Sequence, residues 1–270
     1  MTRKKLGIIG CGNIGSALVR TAAGEMAGRI SEIILRDIDP QKTALLEKEL
    51  SVARAASDAE EVMETADLII EAVSPSLARE LVKKAVRKKK DILVMSVGGM
   101  LDNMELLQEA RRKAVRILLP SGAVSGIDAL KAARIGGIDS VTLTTRKPPA
   151  SVKDAPYLAE KGIDIMSVAK KTVIFEGNAA SAVKAFPRNI NVSALLSIAG
   201  IGAQRTGVRI IVSPEYKTNI HEIEIKGISG TIITRTENIP SPENPKTSYL
   251  AVLSAIAALR EYFDTVRVGT

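Results

Sequence analysis

Short apolar runs, separated by stretches of helical periodicity, set the rhythm of the first 120 residues. Leu6–Gly10, Glu32–Leu35, Asp67–Val73, Asp91–Val97 and Val115–Leu119 read as buried strands, with Ser51–Ala55 a short addition. Between them the pattern predicts helices over Asn13–Ala27 and Pro40–Leu50, the latter with Pro40 in its first turn. Further helices are predicted from the capping box Ser57-Asp58-Ala59-Glu60, after Ser74-Pro75, and from about Asp102 to Lys113. Strands spaced by helices imply a parallel, doubly wound α/β sheet of the Rossmann kind.

After Pro120 the pattern changes. Glycines cluster at 122, 126, 136 and 137, which reads as a crossover rich in turns. Val141–Thr145 and Thr172–Phe175 alternate as strands do, and an Ala/Leu/Ser-rich helix is expected from Ile190 to about Gln204. Three β-like runs follow closely, Val208–Val212, His221–Lys226 and Thr231–Thr236, implying a mostly antiparallel sheet with helices on one face. Glu237–Lys246 carries three prolines and is expected to be a loop. Thr247 or Ser248 then caps an amphipathic helix, Tyr249–Phe263. The expected division is residues 1–121 as a dinucleotide-binding domain and 122–246 as an α+β catalytic and dimerisation domain. Residues 247–270 form a terminal helix returning to the first domain.

Composition narrows the class. The 270 residues are 46% hydrophobic and 25% charged, the profile of a soluble globular protein. No run approaches the roughly 18 apolar residues of a membrane span. The basic Met1–Lys5 segment precedes a short, glycine-broken apolar run and reads as the approach to a first strand, not as a leader. The single cysteine, Cys11, excludes an internal disulfide and fits a reducing cytoplasm; a helix start beside it could also lower a thiol's pKa. The net charge of +8 sits largely in Lys83-Lys84, Arg87-Lys88-Lys89-Lys90 and Arg111-Arg112-Lys113, at the C-terminal ends of helix-like segments where cations are favoured. With 3% aromatic residues and no RNA-binding signature, these tracts read as solvated helix faces rather than a nucleic-acid surface.

The chemistry begins at Gly10-Cys11-Gly12-Asn13-Ile14-Gly15, which has the form G-x-G-x-x-G. It follows a strand-like run and opens a helix, the context that a dinucleotide pyrophosphate requires: a tight turn, close backbone approach and free N–H groups at a helix start. Gly10, Gly12, Asn13, Ile14 and Gly15 are therefore candidate cofactor contacts. Asp37, at the end of the second strand, is placed to accept from the adenosine ribose hydroxyls and favours NAD, while Arg36 beside it leaves NADP open. The lone histidine, His221, is the candidate general acid or base. With one histidine and one cysteine there is no ligand set for a metal, and no metal site is expected. The chain also lacks G-x-S-x-G and a Walker lysine loop. Asn189 and Asn191 stand at a helix start, where Asn189 suits a cap and Asn191 a ligand amide. Pro120–Gly126 ends a parallel strand, where open α/β sheets bind ligands.

Several segments together resemble the L-aspartate dehydrogenase family. They include Gly7–Gly15, Ala66–Ala72, Val94–Gly98, Pro120–Ala123, Thr145–Pro149, Phe186–Val192 and Asn219-Ile220-His221-Glu222. The glycine motif is generic; the Phe-Pro-x-Asn-x-Asn-Val and Asn-x-His-Glu segments are far more specific, and the matches span nearly the whole chain. The resemblance implies a Rossmann domain plus an α+β catalytic domain, a homodimer, and NAD(P)-dependent oxidative deamination of L-aspartate to iminosuccinate, oxaloacetate and ammonia. It implies a catalytic role for His221 and NAD contacts at Ala123 and Asn191. The two carboxylates of such a substrate require cationic or amide partners, for which Arg146, Lys147, Lys184 and Arg188, with nearby Ser and backbone N–H groups, are equivalent candidates. The imine product would suit pyridine nucleotide biosynthesis. The alternatives are a related two-domain reductase acting on another amino-acid precursor, such as a homoserine precursor, and a non-catalytic dinucleotide sensor.

Overall fold

A computed structural model of the protein describes residues 3–101, 103–187 and 191–270. The chain divides into two compact units, one of Met1–Pro120 with Val252–Arg267, the other of Ser121–Ala251 with Val268–Thr270.

The first unit alternates strand and helix: β1 (Lys4–Ile9), α1 (Asn13–Gly24), β2 (Ile30–Arg36), α2 (Pro40–Glu49), β3 (Ala53–Ala55), α3 (Ala59–Thr65), β4 (Leu68–Glu71), α4 (Pro75–Arg87), β5 (Asp91–Val94), α5 (Met104–Arg112) and β6 (Ile117–Leu118). The six strands form one parallel sheet in the order β3-β2-β1-β4-β5-β6. Strand order therefore reverses between β1 and β4, and the carboxyl ends of these two strands open the crevice where such sheets take ligands. The core strands are apolar on both faces, as parallel strands covered by helices must be, with Leu6, Ile8, Leu68, Ile70 and Leu93 all fully buried.

Local chemistry shifts several predicted boundaries. The capping acid of α3 is Asp58, which accepts from the Glu61 N–H, while Glu61 reaches back to the N–H and hydroxyl of Ser57; the capping pair is thus one residue later than Ser57–Glu60. β5 stops at Val94 instead of Val97, because the Ser96 N–H turns to the Glu71 carboxylate and a 3₁₀ turn begins at Val97. Asp102, the expected start of the next helix, lies outside the described residues. The basic tracts lie at and just beyond the C-terminal ends of α4 and α5 and pair with acids: Lys84 and Lys88 with Glu60, Lys113 with Glu109.

The second unit contains α6 (Ile127–Gly136), β7 (Ile138–Lys147), α7 (Pro156–Glu160), β8 (Thr172–Asn178), α8 (Ala179–Ala185), α9 (Asn191–Ala199), β9 (Thr206–Val212), β10 (Asn219–Gly227), β11 (Gly230–Asn238), β12 (Pro240–Ser241) and β13 (Asn244–Ser248). Five strands make a mixed sheet in the order β11-β10-β7-β9-β8, antiparallel throughout except for the β7–β9 pair. Alternation sends Val141, Leu143, Ile223 and Ile225 to one face, where they pack with Leu130 and Ala133 of α6 and Leu196 of α9. Val208, Ile210 and Val212 of β9 join Phe175, Phe186 and α8 on the same face, and Phe175, Phe186 and Tyr157 stack at centroid distances of 5.4–5.5 Å.

Two segments read as irregular are ordered elements. The glycine-rich stretch after Pro120 contains α6, and the proline-rich 237–246 completes β11 and forms the β12–β13 hairpin, with its prolines confined to a short two-stranded ribbon. The terminal helix α10 (Tyr249–Phe263) starts and ends as the sequence predicts. Ser248, read as its cap, closes β13 and donates to Asn238 Oδ1 at 2.6 Å. Ala255, Leu259 and Tyr262 of α10 join the hydrophobic cluster of the first unit with Leu18, Val19 and Ala22, and the Tyr262 hydroxyl donates to Asp91 at 2.9 Å. Among the described residues, no helix is long and apolar enough to cross a membrane.

Candidate active site

In the first unit the glycine loop runs from β1 into α1 at the carboxyl end of the sheet. Gly10 has φ +99°, and a Cβ there would sit 2.3 Å from the Ala72 carbonyl oxygen. A Cβ on Gly15 would lie 1.9 Å from the Gly10 carbonyl oxygen, so only glycine lets α1 start this close to the turn. At Gly12 the opposite holds: among the described residues a Cβ would meet nothing within 4 Å. Gly12 is also the N-cap of α1, and among the described residues no side chain caps that end. The loop thus presents a helix N-terminus across open space, a cradle that fits a diphosphate.

Asp37 holds this loop in place. It is 7% exposed, and its carboxylate accepts from the Cys11 N–H at 2.7 Å and the Asp39 N–H at 2.9 Å, with Lys42 Nζ at 3.5 Å. Burial works to raise its pKa, yet the Asp39 and Cys11 N–H groups and the Lys42 ammonium together hold it below the usual carboxylate range. Two donors and a distant ammonium leave capacity on the two oxygens for a ribose hydroxyl. Cys11 is no reactive thiol: burial first, then the Asp37 charge, push its pKa up to about 12.

A second carboxylate braces the same end of the sheet. Glu71, fully buried at the end of β4, accepts from the Val73 N–H at 2.8 Å and the Ser96 N–H at 2.9 Å, and Ser96 Oγ donates to the Val73 carbonyl at 2.6 Å. It ties the turn after β4 to the turn after β5. Burial raises its pKa against the pull of these hydrogen bonds. Nothing in the linear sequence marked it beyond an acid inside an apolar strand.

In the second unit the inner face of the mixed sheet, apolar along most of its length, turns polar at one end. Thr145 and Lys147 of β7, Asn219 and His221 of β10, and Thr236 and Asn238 of β11 share that face by register: His221 pairs with Thr145 on one side and with Thr236 on the other. Thr145, Lys147, His221 and Asn238 are all buried, which is expensive unless each is used. Thr145 Oγ1 and His221 Nδ1 are 3.0 Å apart, leaving Nε2 for other work. The His221 pKa is pushed down to about 3, by burial and then by the charge of Lys147, so the ring is neutral at ordinary pH. The Lys147 pKa is itself pushed down to about 8 by burial.

The same end of the sheet fixes Ala123. Its carbonyl accepts from Thr236 Oγ1 at 3.0 Å and Asn238 Nδ2 at 3.1 Å, which anchors the 121–126 segment beside His221. Asn191 opens α9, whose Ala194, Leu195 and Leu196 are buried. Arg188 and Asn189 lie outside the described residues. Of the other cations singled out from the sequence, Arg146 points to the opposite face, where it pairs with Glu222 at 3.3 Å, and Lys184 is exposed in the last turn of α8.

A cavity of about 870 Å³ opens at this polar end of the sheet. Its wall includes Lys147, Asn219 and Asn238, and it carries Lys153, Lys217 and Lys246 against one acid, Asp154. His221 is not among its lining residues; it stands on the same sheet face as Lys147 and Asn219, which are. β7 extends two residues beyond the Val141–Thr145 run that the sequence predicts, and continuing the alternation from Leu143 through Thr145 puts Lys147 on the buried face.

Residues 128–262 match the family described as aspartate dehydrogenase, C-terminal, and residues 10–120 match that described as homoserine dehydrogenase, NAD binding domain. The chain is 44% identical to an L-aspartate dehydrogenase of Methanosarcina mazei, covering 98% of this chain and 99% of that protein. It is 44% identical to one of Methanosarcina acetivorans over the same shares of the two chains. Among solved structures, an aspartate dehydrogenase from Thermotoga maritima superposes with a TM-score of 0.76 at 25% identity, covering 99% of this chain and 100% of that one.

Proposed function

The chain belongs to the L-aspartate dehydrogenase family, and on that premise we propose how its residues serve the NAD(P)-dependent oxidative deamination of L-aspartate to iminosuccinate, with oxaloacetate and ammonia as the hydrolysed products. The observation that carries the reading is the only histidine of the chain, buried in a polar cluster on an otherwise apolar sheet face, beside a cation-lined cavity.

The glycine loop, with Gly10, Gly12, Asn13, Ile14 and Gly15, would hold the diphosphate of the cofactor, Asp37 the adenosine ribose, and Ala123 and Asn191 further parts of the dinucleotide. Bound there, a nicotinamide supplies the hydride acceptor. Asp37 supports NAD, while Arg36 and Lys42 beside it keep NADP within reach of the same site.

His221 handles protons. Oxidation at C2 needs a neutral amine, and hydrolysis of the imine needs an activated water; a neutral imidazole can accept a proton in either step, directly or through one water. Thr145 bonds Nδ1 and so presents Nε2 as the working atom. The homodimer, a cytoplasmic setting and a supply of the imine to pyridine nucleotide synthesis belong to the same reading and rest on the family resemblance.

The test is direct: follow reduced nicotinamide by absorbance with L-aspartate, homoserine or no amino acid. Turnover with L-aspartate alone is expected. Turnover with homoserine instead would favour the related reductase, and cofactor binding without turnover would favour a sensor.

A further inference from the structure

We infer that Lys147, assisted by the amide of Asn219, is the group that receives a carboxylate of the dicarboxylic substrate in the cavity at the polar end of the mixed sheet. This rests on the functional reading above and selects one among the cations that the sequence left equivalent.

Three observations carry it. The first is placement. Lys147 is 6% exposed, yet it forms part of the wall of the cavity, so a cationic residue is held inside the protein at the edge of a space large enough for a small molecule. A surface lysine attracts anions weakly; a buried one placed at a cavity wall is built for an anion.

The second is register. Lys147 lies two residues beyond Thr145 on the same face of β7, and Thr145 is directly opposite His221. Diagonal neighbours across an antiparallel pair are about 7–8 Å apart. At that backbone spacing the two side chains lie close enough for one small diacid to reach both, its carboxylate on the lysine and its reacting carbon toward the imidazole. Asn219, which precedes His221 by two residues, shares the face and lines the cavity, and its side chain makes no hydrogen bond among the described residues.

The third is the fate of two of the rivals, Arg146 and Lys184; Arg188 lies outside the described residues. Arg146 faces away and is engaged by Glu222, and Lys184 is exposed on α8 and is not one of the residues that line the cavity. The remaining lysines of the cavity, Lys153, Lys217 and Lys246, give it a positive field that gathers dianions before one is bound.

The arrangement has a chemical consequence. The charge of Lys147 is one of the two causes that keep His221 a weak base. A carboxylate arriving at Lys147 cancels much of that charge at His221, so the imidazole becomes a better proton acceptor when substrate is present.

The experiment uses the full-length protein with Lys147→Met, Lys147→Gln, Lys147→Arg and, as a control at an exposed lysine that does not line the cavity, Lys184→Met. Steady-state kinetics are read with L-aspartate, and binding of succinate, an unreactive four-carbon diacid, is read by calorimetry with saturating NAD. Lys147→Met and Lys147→Gln should each raise KM for L-aspartate by ~10- to 100-fold, the scale of a lost charge-assisted hydrogen bond. Succinate affinity should fall in parallel, with KM for NAD unchanged. Lys147→Arg should recover part of the loss, and Lys184→Met should match the wild type. If either neutral variant folds and keeps wild-type KM and succinate affinity, the inference is overturned while the aspartate dehydrogenase reading stands. If the wild type oxidises no L-aspartate yet binds succinate through Lys147, the functional reading falls and the dicarboxylate site survives.

Discussion

Thr145 Oγ1 lies 3.0 Å from His221 Nδ1, and the two residues are direct cross-strand partners at the centre of the mixed sheet. A hydroxyl can donate or accept, so this bond serves whichever tautomer the ring adopts while fixing its orientation. The pair marks where the face changes from Val, Leu and Ile to the polar end that also carries Lys147, Asn219, Thr236 and Asn238, and both of its members are buried. A sheet interior does not carry such a pair for packing alone, because a Val–Leu pair in its place would cost nothing in desolvation.

Substituting the ring tests its role most directly. His221→Ala should lower turnover by ~10²–10⁴-fold, the usual scale for a general acid or base, while NADH binding followed by fluorescence survives. Near-normal turnover in a purified, folded His221→Ala protein removes the role assigned to it. Thr145→Val, which keeps the shape and deletes the hydroxyl, should lower kcat by roughly tenfold with little change in KM, in keeping with the loss of an orienting hydrogen bond. Thr145→Ser should restore most of it. A Thr145→Ser variant as slow as Thr145→Val would show that the methyl packing, not the hydroxyl, matters.

The low basicity of His221 makes a prediction about stability. In the unfolded chain the ring titrates near 6.5; in the folded protein burial and Lys147 hold its pKa to about 3. Between these values the unfolded state binds a proton that the native state refuses, so stability falls as pH drops below about 6.5 and levels off near 3. The slope from this one residue is at most about 1.4 kcal/mol per pH unit. His221→Gln removes it. Denaturant unfolding at pH 6.5 and 4.5 should therefore show a smaller acid loss in the variant than in the wild type; equal losses would mean that the ring is already protonated in the native state at pH 4.5.

The sequence made the parallel sheet legible because its strands are buried on both faces and so read as unbroken apolar runs. It also made the chemistry's two anchors legible, the glycine loop and His221, because each is a residue type with few other uses in that context. Elements bounded by helix-breaking residues were hidden: α6 lies between Gly126 and Gly137, and β12–β13 between prolines. The surroundings of His221 were hidden for a different reason. Thr145, Lys147, Asn219 and Asn238 come from three strands, and only cross-strand register brings them together. No local pattern encodes that register, although the alternation of β7, carried two residues further, would have buried Lys147. Glu71 was hidden because an acid at the end of an apolar strand looks the same whether it faces solvent or braces two turns.

Asp37 has two tasks, and its removal should show both. Asp37→Ala strands the buried Cys11 N–H, a loss of about 1–3 kcal/mol in folding stability, and deletes the expected ribose acceptor. NAD affinity should fall more than NADP affinity, since the latter's 2′-phosphate relies on cations such as Arg36 or Lys42 and not on a carboxylate. Equal losses for the two cofactors, measured by fluorescence titration, would reduce Asp37 to its structural role in holding the glycine loop.

Two glycines of the loop should separate folding from binding. Gly12 has φ −74°, which any residue can adopt, and among the described residues a Cβ there meets nothing within 4 Å. Gly12→Ala should therefore leave the melting temperature unchanged or slightly raised, since alanine loses less chain entropy on folding than glycine. The added methyl group nonetheless occupies the space over the start of α1 where phosphates would approach, so NADH affinity should fall by at least about tenfold, the equivalent of roughly 1.4 kcal/mol. Gly15→Ala meets a backbone oxygen at 1.9 Å and cannot be accommodated without moving the turn. It should cost about 1–3 kcal/mol of stability, the scale of overpacking in a closed site. Unfolding curves and NADH titrations on both variants distinguish the cases. A Gly12→Ala protein that binds NADH as tightly as the wild type would mean that the cofactor's diphosphate does not lie over this helix end, whatever the fold around it.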